Sequence, residues 1–145
     1  RARWAQRKQS PAANAASPSG QRRKETRAAA ARRRRNDAPW RNACIARRGE
    51  RCRSCGKRTH VQMDHIIAKS QGGPSVIENG LPLCDELGIG CHPDKTAGRL
   101  KIRYEWLDPD QIEWLHNNGH AMWLPDGTVA GRHCRLFAPQ ERTPA

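Results

Sequence analysis

An acid and a histidine stand side by side in the stretch VQMDHII, where Asp64 and His65 interrupt a largely apolar segment. In a half-buried strand, neighbouring side chains point to opposite faces, so such a pair is unusual unless both groups border a site. Imidazole exchanges a proton near neutral pH, and a carboxylate is a good ligand for a divalent cation. The pair is therefore either an exposed edge or the centre of a site that combines proton transfer with a bound cation.

Two more polar residues follow at spacings that let them join this pair. Asn79 lies fourteen residues after His65, at the end of a glycine-rich loop, and His92 comes directly after Cys91. Asp64-His65 is a weak signal by itself, but the four residues in this order indicate a site. The histidines further along the chain are interpreted as surface or hairpin residues without a role: His116, His120 and His133.

Cysteines flank this group on both sides. The chain has Cys44, Cys52, Cys55, Cys84, Cys91 and Cys134. Cys52 and Cys55 form a C-x2-C pair followed by a glycine, and Cys84 and Cys91 form a wider C-x6-C pair. Four thiolates around a tetrahedral zinc would stabilise a small core. Three disulfides are the alternative; zinc is favoured because there is no secretory signal pattern and the chain is strongly basic. Cys44 is expected in the core and Cys134 is expected to be free.

The charge of the chain is concentrated at one end. Of a net +13 over 145 residues, residues 1–35 carry twelve Lys and Arg against one acid, whereas the remainder has fifteen basic and thirteen acidic residues. Residues 1–36 therefore read as a disordered basic arm for nucleic acid, with KETRAAAARRRR able to become helical on a partner. An organelle transit peptide is the weaker interpretation of this start. No run of residues reaches the length of a transmembrane helix.

The elements that would position the candidate site can be read from local signals. Asp37 and Gly49 bound a predicted helix whose buried stripe is Trp40, Cys44 and Ile45. A cysteine turn then leads into the strand that holds VQMDHII, and AKSQGGPSVIENG reads as a loop before a second strand, LPLC. A further helix is expected after CHPDKT, running toward Lys101.

The last third of the chain looks like a separate small unit. Asp108 is a predicted N-cap, with Pro109 in the first turn, Gln111 completing a capping box and Gly119 past the end. AMWLPDGTVAGRHCRLF reads as a hairpin that turns at residues 125–127.

The segments CRSCG, MDHIIAKSQGGPSVIENGLPLC and CHPDKT resemble the HNH endonucleases, in the zinc-bearing branch found in phage and bacterial genomes. The resemblance covers residues 50–98 and implies an α+β fold with a ββα-metal core. It implies that Asp64 and His92 hold the catalytic metal, that His65 is the general base and that Asn79 orders the loop and holds His65. It also implies a structural zinc on Cys52, Cys55, Cys84 and Cys91. The catalytic ion is left open among Mg²⁺, Mn²⁺, Ni²⁺ and Zn²⁺.

By this resemblance the chain is expected to be a metal-dependent DNA endonuclease of the bacterial or phage-infected cytoplasm, with a phage terminase as a plausible partner. A non-catalytic, zinc-stabilised nucleic-acid-binding module is the alternative, and a restriction or toxin nuclease would keep the same site. The predicted phosphate contacts are Lys69, Lys95, Arg99, Arg32, Arg33, Arg34 and Arg35. The expected domains are the arm 1–36, the nuclease core 37–103 and a helix-hairpin extension 104–145. Two features depart from the family: DELGIG widens the second cysteine pair, and Thr96 stands where some relatives have a third metal ligand.

Overall fold

The computed structural model describes residues 26–32 and 35–141 of the chain. It divides into two units, Arg1–Asn36 and Asp37–Ala145. In the first unit, residues 26–32 and 35–36 are helical. Residues 1–25 of the predicted disordered arm lie outside the described residues. No helix in the described part is long and apolar enough to cross a membrane.

The first helix of the second unit, α1, spans Ala38–Arg48 and has the predicted bounds, with a proline in its first turn and Gly49 (φ 74°) at its end. Its buried residues are Trp40, Cys44 and Arg48. The predicted stripe is wrong at Ile45, which is only half-buried, because the buried face follows the four-residue spacing on to Arg48.

A ββα arrangement follows α1. Strand β1 (Val61–His65) pairs antiparallel with β2 (Gly80–Cys84), with His65 opposite Gly80. The intervening loop holds two short 3₁₀ turns, and helix α2 spans Cys91–Thr96. The prediction that a helix starts after CHPDKT is wrong: those six residues are the helix, and Gly98 (φ 75°) turns the chain away just beyond them. The α+β class and the ββα core are as predicted.

Helix α3 (Pro109–Asn117) and a short hairpin, β3 (Met122–Trp123) with β4 (Val129–Ala130), complete the second unit. The capping signal is present, since the Gln111 side chain accepts the Asp108 backbone N–H at 2.9 Å. The apolar residues of this part join the strands in one core, whose buried members include Ile66, Leu81, Leu83, Ile102, Leu107, Leu115 and Phe137. The last third, the predicted helix-hairpin extension, therefore packs on the strands as part of the same core.

An ion cluster joins α1 to the start of α3. The guanidinium of Arg48 is fully buried and bonds Asp108 Oδ2 at 2.6 Å and Asp110 Oδ2 at 2.8 Å. It also donates to the backbone carbonyl of Ile77 at 3.0 Å. The bond to Arg48 holds the pKa of Asp110 below its usual value. Arg48 sits in the last turn of its helix and the two acids at the start of theirs, so each charge also faces the favourable end of a helix dipole.

Candidate active site and metal centres

Four cysteines converge from three elements. Cys52 and Cys55 come from the turn before β1, Cys84 ends β2 and Cys91 begins α2. Their sulfurs all lie within 4.8 Å of one another, and Cys55 Sγ and Cys84 Sγ are 3.6 Å apart. Zinc–sulfur bonds of about 2.3 Å place tetrahedral sulfurs about 3.8 Å apart, so the cluster fits this ion. All six cysteines, each in the described part of the chain, are free, which excludes the disulfide alternative in this structure.

The surroundings favour a bound cation in this cluster. Burial raises the pKa of the Cys52 thiol, but backbone hydrogen bonds from Cys55, Cys84 and Ser54 outweigh burial and bring it down to about 7. Burial and, to a lesser extent, the neighbouring thiols raise the pKa of Cys91 to about 12. A divalent ion removes this conflict because it binds all four groups as thiolates.

The widened cysteine pair does not spoil this geometry. Residues between Cys84 and Cys91 fold back in a tight turn, with Glu86 bridged to Ile89. Gly90 has φ 141°, and a side chain there would lie 2.6 Å from the Cys84 carbonyl oxygen. Gly90 therefore lets the chain of six residues between Cys84 and Cys91 bring both sulfurs into the cluster.

A second group of polar side chains forms between β1 and α2. His92 Nε2 lies 3.5 Å from Asp64 Oδ1, and on the other side of the ring Nδ1 lies 2.9 Å from Asp85 Oδ2. Burial opposes ionisation of Asp64, but His92 and Lys95 more than offset it and lower its pKa. The hydrogen bonds of His92 to the two acids raise its pKa. Two ligands of one ion at about 2.1 Å stand about 3.0 Å apart, so Asp64 and His92 fit a divalent cation.

Lys95 occupies the other side of the Asp64 carboxylate. Its ammonium donates to Asp64 Oδ2 and to the backbone carbonyl of His65, both at 2.6 Å. It borders a cleft of about 210 Å³ that Asp64 also lines. Oδ1 is left to face His92, so Lys95 fixes the carboxylate without covering the oxygen that would meet an ion. Thr96 donates its hydroxyl to the His92 carbonyl at 3.0 Å.

His65 faces the opposite side of β1, toward α1. Its ring stacks on Trp40 with centroids 4.0 Å apart and an angle of 18°. Its Nε2 lies 3.1 Å from Ser75 Oγ, which in turn donates to Asp37 Oδ1 at 3.3 Å. Burial, followed by the charge of Lys69, lowers the pKa of His65 and keeps the ring neutral near neutral pH.

Asn79 is fully buried and ties the loop to the end of β1. Its side chain accepts from Ile67 N at 2.8 Å and donates to Ile67 O at 3.0 Å and Pro74 O at 2.8 Å. The predicted loop-ordering contacts are present. Among the described residues, the Asn79 side chain makes no hydrogen bond to His65, which the resemblance had implied. Its amide instead bonds Ile67, just after β1, and Pro74, in the loop.

The predicted phosphate contacts lie in different settings. Exposed Lys69 pairs with Asp37, and exposed Arg99 pairs with Asp94. Lys95 is largely buried and forms an ion pair with the Asp64 carboxylate, so its ammonium is not free to contact a phosphate as predicted. Arg32 and Arg35 are exposed, and Arg33 and Arg34 lie outside the described residues.

For several residues around the site, the sequence predicts only a structural role or no role at all. Trp40 was expected in the core stripe and Asp37 as a helix cap, although its side chain makes no cap bond. Asp85 and Ser75 carried no signal except their places beside Cys84 and in the glycine-rich loop. Their partners are distant in sequence, which local patterns do not reveal.

The comparisons with known proteins agree with this geometry. A family model described as HNH endonuclease matches residues 52–98. No curated protein and no solved structure matches the chain. The matched range contains all four clustered cysteines together with Asp64, His65, Asn79 and His92, and it indicates a nuclease or nucleic-acid-binding function.

Proposed function

We propose that the chain is a metal-dependent DNA endonuclease, because a family model described as HNH endonuclease matches residues 52–98. His65 is the general base, and Asp64 and His92 hold the catalytic divalent ion. The observation that carries the proposal is the distance of 3.5 Å between Asp64 Oδ1 and His92 Nε2. Asp64 directly precedes His65 in β1, and the imidazole of His65 is neutral and half-buried. A module that only binds DNA has no use for these groups together.

The chain's residues divide the chemistry of phosphodiester hydrolysis among them. His65 accepts a proton from the attacking water, since a neutral imidazole is a competent base near neutral pH. The new P–O bond forms as the bond to the 3′-oxygen breaks, and the departing 3′-oxygen takes a proton from solvent, which leaves a 5′-phosphate and a 3′-hydroxyl. When bound, the divalent ion supplies charge stabilisation for the phosphate and the leaving oxygen. Lys95 adds positive charge beside Asp64.

The two proposed ligands are prepared for this task by their neighbours. Asp85 accepts a hydrogen bond from His92 Nδ1–H, which leaves the lone pair on Nε2, the atom that faces Asp64. Lys95 and His92 keep Asp64 ionised. With two protein ligands, the ion retains positions for water and phosphate. Its identity stays open among Mg²⁺, Mn²⁺, Ni²⁺ and Zn²⁺, and the four cysteines hold a separate structural zinc.

A non-catalytic nucleic-acid-binding module is the second candidate. The observation that favours it is the net +11 charge of residues 1–35, which alone suits a polyanion. That function would need the four cysteines for stability but not Asp64, His65 or His92. In either case nucleic acid is the partner, DNA in the nuclease reading. A terminase partner and a cytoplasmic location stay predictions from the family resemblance.

Cleavage of supercoiled plasmid separates the two candidates. The zinc-loaded chain is compared with His65→Ala and with His116→Ala, which removes an exposed histidine away from the site. The nuclease proposal expects nicked or linear DNA with Mg²⁺ or Mn²⁺, no cleavage in EDTA, an inert His65→Ala and an active His116→Ala. If all three proteins shift DNA on a gel and none cuts with any of the four ions, the binding-module function replaces it.

A further inference from the structure

The proposed base is held from the side that lies away from the metal ligands. Trp40 stacks on the ring of His65, and Ser75 and Asp37 form a hydrogen-bonded chain that ends on its Nε2. Two of these three residues, Asp37 and Trp40, lie outside the range that matches the HNH family model. Helix α1 and the residue before it thus contribute to the candidate site from outside the range that matches the family model.

The directions of these hydrogen bonds follow from counting protons. A serine hydroxyl has one proton to donate, and an ionised carboxylate only accepts. Ser75 donates that proton to Asp37 Oδ1, so its oxygen is left to accept from the imidazole. The exposed ammonium of Lys69 also bonds Asp37 Oδ1 and favours the carboxylate form.

We propose that Asp37 and Ser75 are positioning residues that hold His65 as the Nε2–H tautomer, so that Nδ1 carries the lone pair that accepts the proton from water. The catalytic part of this inference rests on the proposed nuclease function, whereas the tautomer itself does not. Reversing the tautomer would place a proton on the atom that has to accept one.

Trp40 completes the arrangement by restricting rotation of the ring. Its indole N–H donates to the carbonyl of Val76 at 2.7 Å, so the indole is itself fixed. A half-turn of the imidazole about its Cβ–Cγ bond would put Cε1 where Nε2 stands and would lose the bond to Ser75. The stack on Trp40 opposes this rotation, because the ring has to leave the stacked plane to turn, and it therefore keeps Nε2 facing Ser75.

The tautomer can be measured without metal turnover or DNA. In the ¹⁵N-labelled, zinc-loaded full chain at about pH 8, where a free histidine is neutral, long-range ¹H–¹⁵N spectra distinguish a protonated from an unprotonated ring nitrogen. The His65 signals are assigned by their loss in His65→Ala. The expected result is a protonated Nε2 and an unprotonated Nδ1. An Nδ1–H tautomer in the native chain would overturn the proposal.

Variants of the two positioning residues test the cause. Asp37→Ala removes the acceptor and frees the Ser75 hydroxyl to donate to Nε2, so the Nδ1–H tautomer should appear. Asp37→Asn keeps an acceptor oxygen and should keep the native tautomer, as should Ser75→Thr. Asp37 makes no side-chain cap bond to α1, so its removal does not uncap the helix. An unchanged tautomer in Asp37→Ala would refute its role.

Cleavage assays on the same proteins connect the tautomer to activity. Asp37→Ala should lose about 10–100-fold in cleavage rate, the usual cost of removing a group that orients a catalytic residue. Glu113→Ala, which removes an exposed acid of α3 outside the matched range, is the control and should stay active. If the spectra agree and no protein cleaves DNA, the nuclease function fails while the positioning inference stands. If Asp37→Ala changes the tautomer but cleaves at the native rate, the assignment of Nδ1 as the accepting atom is wrong.

Discussion

The backbone at Gly80 leaves no room for a side chain. A methyl group there would lie 2.5 Å from Cys44 Sγ and 3.2 Å from Cys44 Cβ. Gly80 pairs with His65 across the sheet, and its carbonyl accepts a bond from Gln111 at 2.7 Å. Its φ of −93° is open to any residue, so only the packing forbids a larger side chain. Gly80→Ala therefore tests how closely α1 packs on β2.

The expected cost follows from this crowding. A carbon and a sulfur in contact stand more than 1 Å further apart than 2.5 Å, and overpacking of a well-ordered core costs about 1–3 kcal/mol. We take the upper end, since both the helix and the strand would have to move. Replacing glycine lowers the entropy of the unfolded chain and returns about 0.5–1 kcal/mol. Gly80→Ala should therefore lower the free energy of unfolding by about 2 kcal/mol.

Cys44→Ala supplies the matching rescue. Cys44 is fully buried and is not one of the four clustered cysteines, so removing its sulfur leaves the zinc site intact. In the double variant the new methyl group occupies space that the sulfur has left. Its free energy of unfolding should exceed, by about 1–2 kcal/mol, the value obtained by adding the effects of the two single substitutions. Urea unfolding followed by tryptophan fluorescence, at a fixed excess of zinc, measures all four proteins. Additivity within about 0.5 kcal/mol would refute the steric explanation.

Three further predictions concern the metals and the base. Cys91→Ser should abolish stoichiometric zinc binding and the cooperative unfolding of the ββα core, as followed by metal analysis and circular dichroism; a fully folded zinc-free chain would contradict the structural role of the ion. Lys69→Met removes a charge that lowers the pKa of His65, so the acid limb of the cleavage rate should move to higher pH, and a shift to lower pH would be the wrong sign. Asp85→Ala removes the partner of His92 and should weaken Mn²⁺ binding by about 10–100-fold in calorimetry. Glu86→Ala in the same loop should leave Mn²⁺ binding unchanged. Equal weakening in both variants would mean that the loop's stability, and not the bond to His92, determines the affinity.

The sequence predicts elements whose signals are local. The bounds of α1 and the start of α3 depend on residues within one turn of each helix end, so Asp37, Gly49, Pro109 and Gln111 are enough to find them. The four-cysteine cluster can be predicted for the same reason, because two pairs of cysteines at short spacing leave few alternatives. The ββα order then followed from the family resemblance.

What the sequence does not reveal depends on partners far along the chain. Arg48 reads as a surface residue at the end of a helix, yet its acids lie sixty and sixty-two residues away and bury it. Asp85 reads as part of a loop insertion until the loop folds back and presents it to His92. Lys95 reads as a phosphate contact until α2 is placed against β1, where it meets Asp64. Each of these is a tertiary contact between charged groups that no periodic pattern encodes.

The Arg48 cluster also closes a loop of the chain. Joining Arg48 to Asp108 closes sixty residues, which costs roughly 3.6 kcal/mol of chain entropy plus a constant. The four-cysteine cluster lies inside that loop, and a zinc bound there would join Cys52 to Cys91, so that only four residues before the ion and seventeen after it would remain flexible. Closing this shorter path costs about 1 kcal/mol less. A zinc on the four cysteines and the buried Arg48 cluster would therefore stabilise each other through the connectivity of the chain, without being in contact.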